Sequence, residues 1–351
     1  MRMSQLKFVA RSIALVWLLA AGAAVARADV AVLVEEPYGE LGAMSPSGHA
    51  AVYFNNICAA SLTQLRRCHA GEAGVVLARY DGIGDHDWIA IPLVPYLYAV
   101  DDVADVPTWV DHEQVDRIRE QYREEHLQAL APDVASPVTG ALEPPKGNWY
   151  ELAGSAYDRR LYGFRVKTTA AEDARVIALL NDHPNHERYN GLFRNCADFV
   201  RTIVNLYYPK AIRRNYVSDL GLTSPKQLAH GLTKYAKKHP EVHLTTFTVL
   251  QVPGTLGRSH RPKCLMETFA TSLRYAVPLT VVQPIAMGVA VTAYLTRGRF
   301  PMPKDSTRWT PVEIGALTDT AVPLPAPGPE FPLTLPTAVN RNLIRTHAPE
   351  N

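Results

Sequence analysis

"RNCADFVRTIVNLYYP", Arg194–Pro209, decides how the chain folds. Phe199, Val200, Ile203, Val204 and Tyr207 recur at helical spacing, and Pro209 ends the run. Asn195 suits the N-cap, which puts Cys196 at the first helical position. Unpaired backbone N–H groups and the positive end of the helix dipole surround a sulfur placed there. Both favour thiolate over thiol. The same N–H groups suit an oxyanion formed when a thiolate attacks a carbonyl. Cys196 is thus a packing residue, half of a disulfide, a metal ligand or a nucleophile, and the rest of the chain must discriminate.

The N-terminus reads as a targeting segment. Arg2, Lys7 and Arg11 precede the apolar "IALVWLLAAGAAV" (residues 13–25), and Ala26-Arg27-Ala28 has the small-x-small form of a signal-peptidase site. Residues 1–28 are therefore expected to be a signal peptide and the protein to be exported. Removing four basic residues from 36 Lys+Arg leaves 32 against 34 Asp+Glu, a net charge near −2. That balance offers no field for a polyanion, so nucleic acid is excluded as a partner.

An oxidising compartment makes the four cysteines possible disulfides. Cys58 and Cys68 flank "AASLTQLRR" and are expected to pair. Zinc held by Cys58, Cys68 and His69 is the rival, but no C-x-x-C unit supports it. "HPNH" (His183, His186) resembles half a metal site, yet Pro184 prevents a regular helical pair, so no metal is expected. Cys264 follows "SHRPK" and reads as an idle thiol, with lipidation or intermolecular pairing as alternatives.

Between residues 29 and 255 the pattern is mixed, and one domain is expected there. "HAAVYF" (49–54), "GVVLARY" (74–80), "WIAIPLV" (88–94), "LYGFRVKT" (161–168) and "HLTTFTVLQV" (243–252) read as strands. Helices are expected from Asp111 to Leu130, from a Thr169–Glu172 capping box to Asn181, from Cys196, and after Ser224-Pro225. The order implies an α+β domain. A linker (256–274) then leads to "YAVPLTVVQPIAMGVAVTAYL" (275–295), 21 residues without a charge, expected to be a transmembrane helix anchoring the protein to the inner membrane. The tail, residues 296–351, carries ten prolines from Pro301 on and is expected to be disordered, with a protein partner as its conceivable ligand.

"GHAAVYF" early and "NCADFV" late, at a helix start, resemble the permuted papain-like clan, which includes permuted NlpC-type hydrolases and lecithin:retinol acyltransferase-like proteins. The resemblance covers residues 45–206. It implies a small antiparallel sheet packed on the Cys-bearing helix, with Cys196 as nucleophile, His49 as its base and no cofactor. A third, orienting side chain is implied on a neighbouring strand. "DGIGDHDW" offers Asp87 first and His86 second. The function expected is an envelope-associated, periplasmic cysteine hydrolase acting on an amide of peptide or cell-wall material. A lipid acyltransferase or acylhydrolase with the same residues is the second reading, favoured by the apolar "IPLVPYLYAV" (91–100), and a non-catalytic envelope binding module is the third.

Overall fold

A computed structural model describes residues 28–39, 46–136, 139–145, 148–186 and 189–319. The expected signal peptide, apart from Ala28, and the tail beyond Asp319 lie outside the described residues.

The sheet is built on a strand the sequence pattern did not single out. β1 (Ala28–Glu35) reads ADVAVLVE and is buried almost throughout. It pairs antiparallel with β2 (His49–Phe54) on one side and with β9 (Leu161–Thr168) on the other. Between these in the chain come β3 (Ile57–Ser61), β4 (Gln64–Arg67), β5 (Val75–Ala78) and β6 (Ile89–Pro92). Then follow helix α1 (Leu93–Tyr98), helix α2 (His112–Tyr122), the short pair β7 (Val134–Ala135) and β8 (Leu142–Glu143), and the one-turn α3 (Ser155–Asp158). After β9 come α4 (Ala170–Asp182), α5 (Cys196–Tyr207), α6 (Pro225–Ala236) and β10 (Thr245–Val249). The last described elements are α7 (Leu265–Thr271), α8 (Leu273–Val282), α9 (Pro284–Ala293), β11 (Thr307–Arg308) and α10 (Pro311–Asp319).

The seven-stranded sheet has the order β11-β10-β9-β1-β2-β5-β6. Every pairing is antiparallel except β10 with β11. Both faces are covered. Val30, Val32 and Val34 join Ala50, Val52 and Phe54 under α5 and α6, where Phe199, Val200, Ile203, Val204 and Leu228 are buried. Ala31, Leu33, Ala51 and Tyr53 point the other way, into a core with Leu97, Val115 and Tyr122 from α1 and α2. A strand buried on both faces has no reason to alternate, so β1 is a continuous apolar run.

Four expectations are corrected. The small sheet of a papain-like domain is instead this seven-stranded, mixed α+β architecture. No helix among the described residues is long and apolar enough to cross a membrane. The 21-residue apolar run is divided into α8 and α9 at Gln283, whose φ −141°, ψ 67° ends the first helix. Pro284 causes the break, because its ring disfavours helical backbone in the residue before it. Pro278 removes a further N–H from α8. A ten-residue helix spans about 15 Å, half of a hydrocarbon core. Nor is residue 301 the start of a structureless tail: Trp309 is buried against Phe247 with ring centroids 3.6 Å apart, and Ile314 is fully enclosed. "WIAIPLV" is also only half strand, since Leu93 and Val94 begin α1.

β3 and β4 form a separate hairpin closed by a disulfide between Cys58 and Cys68. Both sulfurs are consumed in that bond, which removes the thiolates a zinc site would need.

Candidate functional site

Asn195 adopts extended backbone and its side-chain oxygen accepts the Asp198 N–H at 2.9 Å, so it is the N-cap of α5. Its amide Nδ2 donates to the Thr223 carbonyl at 3.1 Å, tying the cap to the segment before α6. Asp198, buried in the first turn, accepts from Thr223 Oγ1 and from Arg214 Nη2, both at 2.8 Å. These bonds fix the helix start and therefore the position of Cys196.

The Cys196 sulfur is buried and faces the backbone N–H groups of Ala197 and Ala50. Burial raises the thiol to about 11, and the two N–H groups pull in the opposite direction without overcoming it. Cys196 is therefore a thiol at neutral pH despite its place at a helix N-terminus.

Ala50 brings strand β2, and with it His49, to the Cys-bearing helix. Gly48 lets the chain entering β2 lie close against the end of β1. It has φ +74°, and a Cβ there would fall 2.0 Å from the Glu35 carbonyl oxygen. Ala50 faces α5, whereas His49 projects to the other side of the strand. The imidazole stacks on Tyr80 with centroids 5.1 Å apart and planes 16° from parallel. Its Nε2 is enclosed and has no hydrogen-bond partner. Burial, with help from the Arg159 charge, lowers His49 to about 3, so the ring is neutral. No hydrogen bond joins His49 to Cys196.

Beneath His49 lies a network that the sequence reading missed. Glu35, opposite His49 in the β1–β2 register, is fully buried. Arg159 Nε stands 2.9 Å from Glu35 Oε2, Arg159 is itself buried, and the Tyr96 hydroxyl donates to Glu35 Oε1. Glu151 lies 4.0 Å from Arg159 Nη2, and the guanidinium sits 4.8 Å over the Tyr38 ring. The available signal was chemical: Glu35 and Glu36 interrupt an apolar run, and charges in such places are seldom buried unless paired. Its partner could not be read from spacing, since Arg159 is remote in sequence.

A cavity of about 240 Å³ opens here, lined by His49, Tyr80, Arg159, Glu151, Tyr38 and Tyr189. Tyr189 joins the two halves of the site: it lines the cavity, and a Cys196 thiolate charge would raise its phenol further. Glu151 acts on both Cys196 and His49. Tyr38 also lines a larger adjoining cleft of about 910 Å³, which carries Trp149, Tyr150, Glu113, Asp116 and Glu124.

The expected third residue is not where the resemblance implied. Asp87 Oδ2 takes Arg79 Nη2 at 2.6 Å, and the Asp87 carbonyl accepts from Arg79 Nε. His86 stacks on His186 at 5.8 Å, with Nδ1 3.3 Å from the Asn185 carbonyl. Asn185 both accepts the Trp88 N–H and donates to the Trp88 carbonyl at 2.9 Å, holding the turn in place. Neither Asp87 nor His86 meets His49; the polar groups around the imidazole are Tyr80, Arg159 and Glu151.

Cys264 is buried at the start of α7, and burial raises its thiol to about 12. Among the described residues, two groups of metal-ligating side chains lie close together: the disulfide-bonded Cys58 and Cys68 with Glu72, and Asp101, Glu125 and His126, all three exposed. Comparison with known proteins gives no match: no family model fits the chain, and neither does any curated protein or solved structure.

Proposed function

We propose that the protein is a thiol hydrolase in which Cys196 attacks a carbonyl and His49 moves the proton. One observation carries the reading. The Cys196 sulfur faces the backbone N–H of Ala50, and the preceding residue, His49, lines a cavity and carries a partnerless Nε2. The Asn195 and Asp198 bonds hold the α5 start rigidly, as a nucleophile requires.

The chemistry starts from a neutral pair. The Cys196 thiol gives its proton to His49 Nε2 as its sulfur forms the C–S bond, and the carbonyl oxygen takes the charge. His49 then protonates the leaving group as that bond breaks, and water releases the acyl group from the sulfur by the reverse steps. For this the imidazole must turn from Tyr80 toward the α5 N-terminus. The adjoining cleft, with Trp149 and Tyr150 along its wall, has room for a chain on one side of the scissile bond, which favours an amide of a peptide or cell-wall fragment.

A second reading has its own support. No hydrogen bond joins Cys196 to His49, and both groups are held in their uncharged forms. A site of this composition that serves only for binding would have these features.

The test is to incubate the full chain separately with muropeptides and with phospholipid vesicles, quench in acid, and weigh the Cys196-containing peptide. A peptidyl adduct is expected. A fatty-acyl adduct would replace the amide reading by the lipid one. Retention of muropeptide with no adduct at any time point would establish the binding module.

A further inference from the structure

α8 buries none of its side chains, and the start of α9 is equally bare. Leu273 is 79% exposed, Val281 77% and Ile285 83%. α9 packs back on α7 through Ala290 and Ala293 against Met266, so the two helices project as one apolar element. The element is anchored to the domain. Met266 N–H donates to the Ser218 carbonyl, and Lys226 Nζ meets Glu267 Oε2 at 2.5 Å. Exposed contiguous apolar surface on this scale marks an interaction site.

The chemistry at its base indicates the partner. Immediately after α9, Thr296, Arg297 and Arg299 help to enclose a cavity of about 320 Å³. His230 and Lys234 of α6 supply the opposite wall, with the amides of Asn215 and Gln227 between, and no carboxylate lines it. Lys234, Arg297 and Arg299 make no ion pair among the described residues. The positive field is strong enough that Lys234, Lys226 and Lys237 add to burial in lowering His230. Three cationic side chains, a neutral imidazole and two amides around an acid-free hollow form an anion site, and it borders the apolar projection directly. Tyr216, 74% exposed, stands two residues from Ser218, on the loop that carries the anchor.

We propose that this face docks on an anionic lipid bilayer: a phosphate-bearing headgroup enters the cavity between α6 and Arg297, while Val281, Val282 and Ile285 insert among the acyl chains. Apolar residues flanked by cations are the arrangement of a surface-seated element that does not span. The two halves are complementary to the two layers of a leaflet, and neither suits bulk water. A second copy of this chain would bring like charges together. This docking is independent of the chemistry at Cys196.

The experiment is flotation of the full-length chain with vesicles of phosphatidylcholine alone or with one-third phosphatidylglycerol. Binding is expected only with the anionic lipid. It should weaken as salt rises, and fall by about fivefold for each lysine or arginine removed from the cavity, since each contributes about that factor at an anionic surface. V281D/I285D should abolish flotation without shifting the melting temperature, and R297E/R299E should act in the same direction through charge alone. Inorganic phosphate and soluble glycerol phosphate are the competitors. Displacement of the protein at millimolar phosphate, with V281D/I285D still bound to vesicles, would reduce the site to one for free anions and overturn the proposal. Equal flotation with both vesicle types would overturn it as well. So would failure to bind either, accompanied by dimers that V281D/I285D converts to monomers.

Discussion

Replacing Cys196 by alanine is expected to abolish turnover, by at least about a thousandfold, and to shift the melting temperature by only a few degrees. The size of the first effect follows from the role of the sulfur: without it there is no bond to the carbonyl, and the remaining N–H groups only bind. The smallness of the second follows from its surroundings. The start of α5 is held by the Asn195 cap and by Asp198 with Thr223 and Arg214, none of which uses the sulfur. His49→Gln is expected to lose about 10²- to 10⁴-fold, the range for removing a general base. Full turnover in the alanine variant, measured on whichever fragment forms the adduct, removes Cys196 from the chemistry.

The largest stability effect is expected at Arg159. Its guanidinium lies against Glu35 at 2.9 Å, and both side chains are enclosed. Arg159→Met leaves a buried carboxylate with only the Tyr96 hydroxyl, and loss of about 3–5 kcal/mol is expected in denaturant unfolding. The double variant Glu35→Gln/Arg159→Met should recover much of it, because the fully buried carboxylate is then gone and the remaining partner, Glu151, is partly exposed. A full-sized loss in the double variant would mean that packing, not charge, sets the role of Arg159.

The same substitution reads out at His49. With a folded value of about 3 against an ordinary 6.5, the unfolded chain takes the proton first as the solution is acidified. The His49 contribution to stability is therefore complete above pH 6.5. Below it the contribution falls by at most about 1.4 kcal/mol per pH unit, until the folded ring also protonates near pH 3. Arg159 is one of the two causes of the depression, so Arg159→Met raises the folded value and narrows that window from its acid end. His49→Gln should remove this component altogether.

How much of this was legible before the structure differs from element to element. α5 was readable because its signals are local: a cap, a 3.6-residue period and a proline stop all fall within sixteen residues of one another. The Cys58–Cys68 pairing was similarly local. β1 was not, because a strand covered on both faces by helices loses the alternation that marks strands. Its apolar run also follows the expected leader directly. The membrane reading weighed total hydropathy over 21 residues, whereas Gln283-Pro284 breaks the helix whatever the mean hydropathy. β11 and Trp309 could not be found at all from their Pro-rich context, since their place depends on Phe247, far away in the chain.

In the candidate site, Cys196, Asn195 and His49 stood out by residue type and position, and the N-cap role of Asn195 was readable directly. Asp87 and His86 were chosen for lying just before a strand, but proximity in sequence did not set their partners. Arg79 and the Asn185 turn were better placed to take them. The groups around the imidazole come from β1, the segment after β5, α1, the segment before α3 and the residue after it, and no pattern along the chain announces that convergence.

The central claim is that Cys196 and His49 act as one unit, and it can be measured without knowing the substrate. The rate of iodoacetamide alkylation at pH 7 is read separately at Cys196 and Cys264 by peptide mass spectrometry, in the native chain and in His49→Gln. A thiol near 11 exposes only about one part in 10⁴ as thiolate at that pH, so a neighbouring base governs its rate. The account predicts that His49→Gln slows Cys196 labelling by at least about tenfold while Cys264, buried apart from the site, reacts as before. Equal labelling of Cys196 in the two proteins contradicts it.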